Sequence, residues 1–140
     1  MTAQNCKFCD IVSGKLPARL VLEDGVAVAF LDVRPLFPGH CLLVPRMHFE
    51  TLSDIPEVLL GPLFAAAQRL ARAVEKGMQA DGSFVAINNR VSQSVPHLHV
   101  HVVPRRQKDG LRGFFWPRQK YESDEVMAGI QDAIREALAG

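Results

Sequence analysis

The strongest constraint on the fold comes from residues 97–103, HLHVHVV, in which histidine alternates with aliphatic side chains. Successive side chains of a β-strand point to opposite faces, whereas side chains on one face of a helix are three or four residues apart. The alternation therefore predicts a strand with one face against a hydrophobic core and the other carrying imidazoles about 6–7 Å apart. The core-facing residues are Leu98, Val100 and Val102, and the imidazoles belong to His97, His99 and His101.

Patterning elsewhere predicts further strands. The stretches RLVLED and VAVAFLD form a predicted hairpin that turns at Asp24 and Gly25. HCLLVPR and SFVAINN each have the composition of a strand. These segments favour a sheet that is mainly antiparallel.

Two helices are predicted from apolar residues at helical spacing. The long one, EVLLGPLFAAAQRLARAVEKG, ends near Gly77. Ser53 or Asp54 is its predicted N-cap, with Pro56 in the first turn and Pro62 delaying or kinking its start. The last helix occupies residues 123–139 and is capped by Ser123. Strands and helices in this order predict an α+β fold, a sheet covered by helices.

The chain has 140 residues, which suits one domain spanning 1–140 with a flexible tail at 1–5 and a basic loop at 105–120. The net charge of +1 does not favour nucleic acid as a partner. No apolar run is long enough to cross a membrane, and the first residues lack a signal peptide's apolar stretch. We therefore expect a cytoplasmic protein.

Three imidazoles on one face support two chemistries, metal binding and phosphoryl transfer. Neutral imidazole is a good nucleophile near pH 7 and can form a phosphohistidine, and a protonated neighbour can bind the phosphoryl oxygens. The preceding QSVP supports an anion site, because the Ser94 hydroxyl and the backbone N–H groups near Val95 can donate to phosphate. The alternative is a polar strand face turned to solvent.

The stretch QSVPHLHVHVVPR, residues 93–105, resembles the triad motif of the histidine triad superfamily. A second match is AFLDVRPLFPGHCLLVPRMH, residues 29–48, and the resemblance extends back to Cys6. The N-terminal CKFC is similar to the start of many bacterial members of the superfamily. The resemblance implies the same fold and a two-fold dimer formed through the long helix and the strand before the triad.

The resemblance also assigns roles to single residues. It implies that His99 attacks the α-phosphate of a nucleotide, that His101 binds the phosphoryl oxygens, and that His40 lies beside the nucleophile. Related nucleotidyltransferases carry glutamine where this chain has His101, which favours hydrolysis. The implied substrate-binding residues are Asp32 at the ribose, together with Asn88, Asn89, Gln93, Ser94 and Val95.

The superfamily usually has glycine before the motif's glutamine, and this chain has Ser92 there. Phe8 and Ile11 match its purine-contacting positions only loosely, and packing in a core explains them equally well.

The chain has three cysteines, an odd number that argues against a disulfide framework. Cys6 and Cys9 are spaced to hold one zinc ion. The resemblance supplies His48 and His97 as the other two ligands, and four protein ligands make a structural site. The alternative is a pair of buried free thiols.

The sequence thus predicts a hydrolase that releases a nucleoside monophosphate from adenosine phosphoramidates or diadenosine polyphosphates. Two alternatives remain open, a nucleotidyltransferase or phosphorylase, and a non-catalytic zinc- or nucleotide-binding adaptor. The loop at 105–120 mixes cations with Phe114, Phe115 and Trp116. It either meets a polyphosphate leaving group or is a solvated loop.

Overall fold

The computed structural model describes residues 5–112 and 118–140. The chain divides into two compact units, residues 1–109 and 110–140. Among the described residues, the first unit contains two helices and five strands, and the second contains one helix. In chain order the elements are α1 (Lys7–Ser13), β1 (Leu20–Glu23), β2 (Ala27–Leu31), β3 (Cys41–Pro45), α2 (Glu57–Gly77), β4 (Gly82–Ile87), β5 (Val100–Arg105) and α3 (Asp124–Ala139).

The five strands form one antiparallel sheet in the order β1-β2-β3-β5-β4. Within it, His101 of β5 pairs with Leu42 of β3, and Leu42 pairs with Phe30 of β2. Directly paired residues point to the same face, so this row runs across the sheet with a spacing of about 4.8 Å per strand. The predicted mainly antiparallel α+β fold is confirmed.

Alternation along the strands divides the core between the two faces of the sheet. One face packs against α2, and its buried residues include Ala29, Leu43 and Val100. The other face packs against α1 through Phe8 and Ile11 of the helix and, from the sheet, Val28, Phe30, Leu42 and Val44. The predicted core positions Leu98, Val100 and Val102 are confirmed, since all three are fully buried on the α2 side.

The histidine-bearing strand begins later than the alternation predicts, at Val100. Leu98 still donates its backbone N–H to the carbonyl of Phe49, outside the sheet. His97 donates its own to Val95, two residues earlier, in a tight turn. Only His101 of the three histidines therefore lies within a strand. The face they share is not a solvent face, because His97 is 0% and His99 is 4% exposed.

The start of α2 also differs from the prediction. The N-cap residue is Pro56, which has no side-chain cap, and the helix begins at Glu57. Asp54 is not a cap because its carboxylate accepts hydrogen bonds from the N–H and hydroxyl of Thr51. Pro62 lies inside the helix and does not delay its start. The predicted end at Gly77 is confirmed.

In the second unit, the Ser123 side chain accepts a hydrogen bond from the N–H of Val126 and caps α3, as predicted. Residues 1–4 of the predicted tail and Phe114, Phe115 and Trp116 of the basic loop lie outside the described residues. Among the described helices, none combines the length and apolarity that a membrane span requires. The organisation of 1–140 as a single domain stays a prediction.

Candidate functional site

A pocket of about 590 Å³ opens on the α1 face of the sheet. Its floor follows the row of paired residues Phe30, Leu42 and His101, which come from three adjacent strands. Apolar side chains of α1, Phe8 and Ile11, also line it. The polar lining residues that bear on the chemistry are Asp32, Ser94, His99 and His101. An apolar cleft with a few convergent polar groups is the usual form of a small-molecule site.

The hydrogen bonds of His99 fix which of its ring nitrogens faces the pocket. Its Nδ1 lies 2.7 Å from the carbonyl oxygen of His97. A carbonyl only accepts, so Nδ1 carries the proton of the neutral ring and donates. The other nitrogen, Nε2, then holds a free lone pair. His99 is therefore held in the tautomer that can act as a nucleophile through Nε2.

A second chain of hydrogen bonds orients His101. The backbone N–H of Leu36 donates to Nδ1 of His40 at 3.0 Å, so the proton of the neutral His40 ring is on Nε2. This Nε2 lies 3.0 Å from Nδ1 of His101 and donates to it. His101 must then carry its own proton on Nε2. The pair therefore presents an N–H donor on His101 beside the lone pair of His99, whose ring centroid is 5.0 Å away.

Burial keeps these rings neutral. Desolvation, together with the neighbouring His99 and His40, lowers the pKa of His101 to about 4, although the nearby Asp32 carboxylate acts in the opposite direction. Burial likewise lowers the pKa of His40 and of His99. A protonated histidine as the anion-binding group was expected from the sequence. In the free protein at pH 7 His101 is neutral, so it meets an anion with an N–H dipole instead.

Asp32, His40 and His101 place a carboxylate oxygen and two ring nitrogens within 4.8 Å of one another, close enough to share a metal ion. The hydrogen bond from Leu36 argues against metal binding there. A neutral histidine that ligates through Nε2 carries its proton on Nδ1, whereas Nδ1 of His40 accepts a hydrogen bond from the backbone N–H of Leu36 and so has no proton. This group is a hydrogen-bonded cluster, with Asp32 3.7 Å from Nε2 of His40.

A second cluster of titratable side chains lies at the start of α1, where Cys6 is the N-cap and Cys9 is in the first turn. It brings together the four residues predicted from the CKFC motif and the resemblance, which are Cys6, Cys9, His48 and His97. Nε2 of His97 donates to the carbonyl of Pro45 at 3.0 Å, so its Nδ1 lone pair faces the cluster. That Nδ1 lies 3.4 Å from Sγ of Cys6, 3.6 Å from Sγ of Cys9 and 3.2 Å from Nδ1 of His48.

These distances test whether the residues fit a metal ion. Ligands at about 2.3 Å for sulfur and 2.0–2.1 Å for nitrogen, arranged as a tetrahedron, lie about 3.3–3.8 Å from one another. The distances within the cluster, including 3.4 Å from Cys9 Sγ to His48 Nδ1, lie at or just below that range. Two thiols and two imidazoles are also a donor set that zinc prefers. The cluster fits a metal site.

A family model for the HIT domain matches residues 13–108 of the chain. The chain belongs to the HIT domain family. A HIT-like protein of Mycobacterium tuberculosis is 38% identical over 136 residues, which cover 96% of this chain and 93% of that protein. An adenosine 5'-monophosphoramidase of Saccharomyces cerevisiae is 36% identical over 124 residues, covering 86% of this chain and 75% of that enzyme.

Solved structures of HIT family proteins match the fold closely. A member from Bacillus subtilis superimposes with a TM-score of 0.85 at 33% identity, covering 95% of this chain and 96% of that one. A zinc-bound histidine triad family protein from Mycobacterium smegmatis has a TM-score of 0.73 at 38% identity, covering 95% and 97% of the two chains. Together with the cluster geometry, the second structure supports a metal site in this HIT protein.

Of the remaining residues predicted from the HIT resemblance, Ser94 and Val95 line the pocket with the histidines. The side chain of Gln93 accepts from the N–H of Arg90 and donates to the carbonyl of Glu50. It holds the loop that carries Ser94. The contribution of Gln93 to substrate binding stays a prediction.

Both asparagines, Asn88 and Asn89, are exposed and are not among the residues that line the pocket. The Asn89 side chain accepts a hydrogen bond from the N–H of Leu52. Contact of either asparagine with substrate stays a prediction. Ser92 adopts a φ of 60°, the left-handed region that glycine favours, so the backbone keeps the shape that the family's glycine suggests.

Sequence reasoning missed two features of the site. The amide of Leu36 sets the tautomer of His40, and no side-chain pattern reveals a backbone donor. The pocket floor at Phe30 and Leu42 was readable in principle. Each points away from the α2 core on its strand, and each lies within the second motif that resembles the family.

Proposed function

We propose that this HIT protein is a nucleotide hydrolase that cleaves purine nucleotide derivatives at the α-phosphate and releases a nucleoside monophosphate. The observation that carries the proposal is the free Nε2 lone pair of His99, held toward a nucleotide-sized pocket by the bond from Nδ1 to the His97 carbonyl. Phosphoramidates and dinucleoside polyphosphates are the two substrate classes. The similar yeast adenosine 5'-monophosphoramidase supports the first.

The proposed reaction has two displacements. Nε2 of His99 attacks the α-phosphorus, the leaving group departs with the electron pair of its bond to phosphorus and takes up a proton, and a nucleotidyl-His99 forms. Water then attacks the same phosphorus and loses a proton, and Nε2 leaves with its electron pair. The N–H of His101 donates to a phosphoryl oxygen as negative charge develops, and the Ser94 hydroxyl is a further donor. Asp32 accepts from the ribose hydroxyls.

His40 is a positioning residue in this scheme. By donating from Nε2 to Nδ1 of His101, it keeps the proton of His101 on the nitrogen that faces the phosphate. The negative charge of a bound α-phosphate would also raise the pKa of His101, because a nearby negative charge favours the protonated ring. Hydrolysis can therefore begin with neutral histidines.

We further infer that the Cys6, Cys9, His48 and His97 cluster holds a structural zinc ion. A bound zinc ion would cross-link the N-terminal segment to the segment that bears His99. Elemental analysis of protein purified without chelator should find about one zinc per chain. The Cys9→Ser variant should lose it, and the matched Cys41→Ala variant should keep it, because Cys41 lies on the other face of the sheet. Zinc-free wild type would contradict the proposal.

A homodimer also remains a proposal. β4 is an edge strand, and it leaves Val85 45% exposed beside α2, which itself leaves Phe64 42% exposed. Pairing of two copies would cover such an edge. Light scattering coupled to size-exclusion chromatography should give twice the chain mass of 15.5 kDa. A monomer at micromolar concentration would contradict it.

Turnover of defined substrates tests the catalytic proposal. Wild type should release AMP from an adenosine phosphoramidate or from diadenosine tri- or tetraphosphate, and added inorganic phosphate should not change the product. His99→Ala should lose more than about a thousandfold in kcat while retaining the wild-type circular dichroism spectrum. Quenching with an alkaline denaturant, under which the P–N bond survives, should trap nucleotidyl-His99 in the wild type alone. A folded His99→Ala protein with full activity would refute the mechanism, and a phosphate-dependent product would indicate a phosphorylase.

A further inference from the structure

Phe8 lies where the metal cluster and the pocket meet. It directly precedes Cys9 in the CKFC segment, lines the pocket and is 4% exposed. Its ring meets the ring of His99 edge-on at a centroid distance of 5.0 Å and that of His97 at 5.9 Å. One side chain therefore contacts a cluster residue, the proposed nucleophile and the space where a nucleotide would bind.

Two contacts orient the His99 ring, and they come from the CKFC segment and from the metal cluster. The carbonyl that accepts from Nδ1 of His99 belongs to His97, which is itself a cluster residue. The edge-on aromatic contact comes from Phe8, which is flanked by the cluster cysteines. The orientation of His99 thus depends on how the CKFC segment is held. Cys6 and Cys9, which lie on the two sides of Phe8 in the sequence, are themselves buried, at 5% and 2% exposed.

We propose that metal binding at the cluster and nucleotide binding in the pocket are energetically coupled through Phe8, a positioning residue for His99. The inference rests on the proposed nucleotide hydrolase function. A metal that joins Cys6 and Cys9 to His97 fixes the backbone on both sides of Phe8. The phenyl ring is then fixed against His99 before a nucleotide arrives, which lowers the ordering cost of binding.

Coupling between two sites is reciprocal. If metal tightens nucleotide binding by a given factor, nucleotide must tighten metal binding by the same factor. The effect can therefore be measured without turnover. Zinc affinity is measured by competition with a chromophoric chelator, with and without saturating AMP. AMP affinity is measured by calorimetry on zinc-loaded and metal-free protein. The coupling factor is the ratio of the zinc Kd without AMP to the zinc Kd with AMP. It should equal the ratio of the AMP Kd of metal-free protein to that of zinc-loaded protein, and both ratios should exceed about fivefold.

Variants at Phe8 separate the coupling from metal binding itself. Phe8→Leu and Phe8→Ala keep all four ligands, so each should still bind one zinc per chain. In both, the coupling factor should fall toward one at saturating AMP. Phe84→Leu is the matched control, because it removes a phenyl ring from β4 at a position that does not line the pocket. It should keep the wild-type factor.

The outcomes distinguish the two proposals. No AMP binding by zinc-loaded wild type would overturn the proposed function, and this inference with it. AMP binding with a coupling factor of one would overturn the inference alone. A wild-type factor retained in both Phe8 variants would show that the coupling does not pass through Phe8. If metal-free protein does not fold, the zinc competition alone decides.

Discussion

Acid should destabilise this protein through His101, and replacing that residue should remove part of the effect. The folded protein holds the pKa of His101 at about 4, against 6.5 for an unperturbed histidine. Between these values the unfolded chain binds a proton that the folded protein does not. Stability is therefore full above about pH 6.5 and falls as the pH decreases toward 4.

The size of the effect follows from linkage. One histidine with these two pKa values loses about 1.2 kcal/mol of unfolding free energy between pH 7 and pH 5.5. His101 is only half-buried, so solvent screening reduces this, and we expect about 1 kcal/mol. In a domain of this size such a loss lowers Tm by about 3–5 °C.

The His101→Asn variant isolates this contribution. Asparagine has a carbonyl oxygen that can accept from Nε2 of His40, as Nδ1 of His101 does. Urea unfolding of both proteins is followed by circular dichroism at pH 7 and pH 5.5, with saturating zinc and constant ionic strength. Wild type should lose about 1 kcal/mol more than the variant over this interval. Equal losses in the two proteins would refute the reasoning.

Three further substitutions test the packing and the site. Leu43→Ala should cost about 2–5 kcal/mol of unfolding free energy, because Leu43 is 0% exposed on the α2 face, and urea unfolding with an unchanged m-value checks it. Gly39→Ala should lower the unfolding free energy by about 1–2 kcal/mol, because its φ is +97° and the new Cβ would lie 2.6 Å from Cγ of Met78. Adding Met78→Ala to this variant should relieve the steric clash but not the backbone strain, as urea unfolding can measure. His40→Ala should lower kcat by about tenfold or more with little change in KM, as steady-state kinetics can measure.

Much of the fold could be predicted because its core follows a period of two. The aliphatic residues of the histidine repeat are buried as predicted, and the hairpin at Asp24 and Gly25 forms because the Asp24 carboxylate accepts from the N–H groups of Val26 and Ala27. Local composition determines both features. The metal cluster was predictable in part, since the CKFC spacing indicates two ligands and only the resemblance indicated the others.

The errors came from tertiary contacts that override local preference. Ser53 and Asp54 have good N-cap side chains, yet Asp54 is engaged by Thr51 and the helix begins at Glu57. The histidine face was placed against solvent in the alternative interpretation because histidine is polar. It is covered instead by Phe8 of α1, a helix about 90 positions earlier in the sequence. Periodicity within one strand carries no information about such a cover.

The sequence contains five histidines, and all of them lie in one of the two clusters. Adjacent rings on the same segment use opposite nitrogens. His97 donates from Nε2 to Pro45 and turns its Nδ1 lone pair toward the cysteines, whereas His99 donates from Nδ1 to His97 and turns Nε2 toward the pocket. Because each free lone pair is aimed away from the other cluster, a metal held by His97 does not compete for the nucleophile. Two backbone carbonyls therefore direct the lone pairs of the proposed metal ligand and of the proposed nucleophile, two residues apart, to different sites.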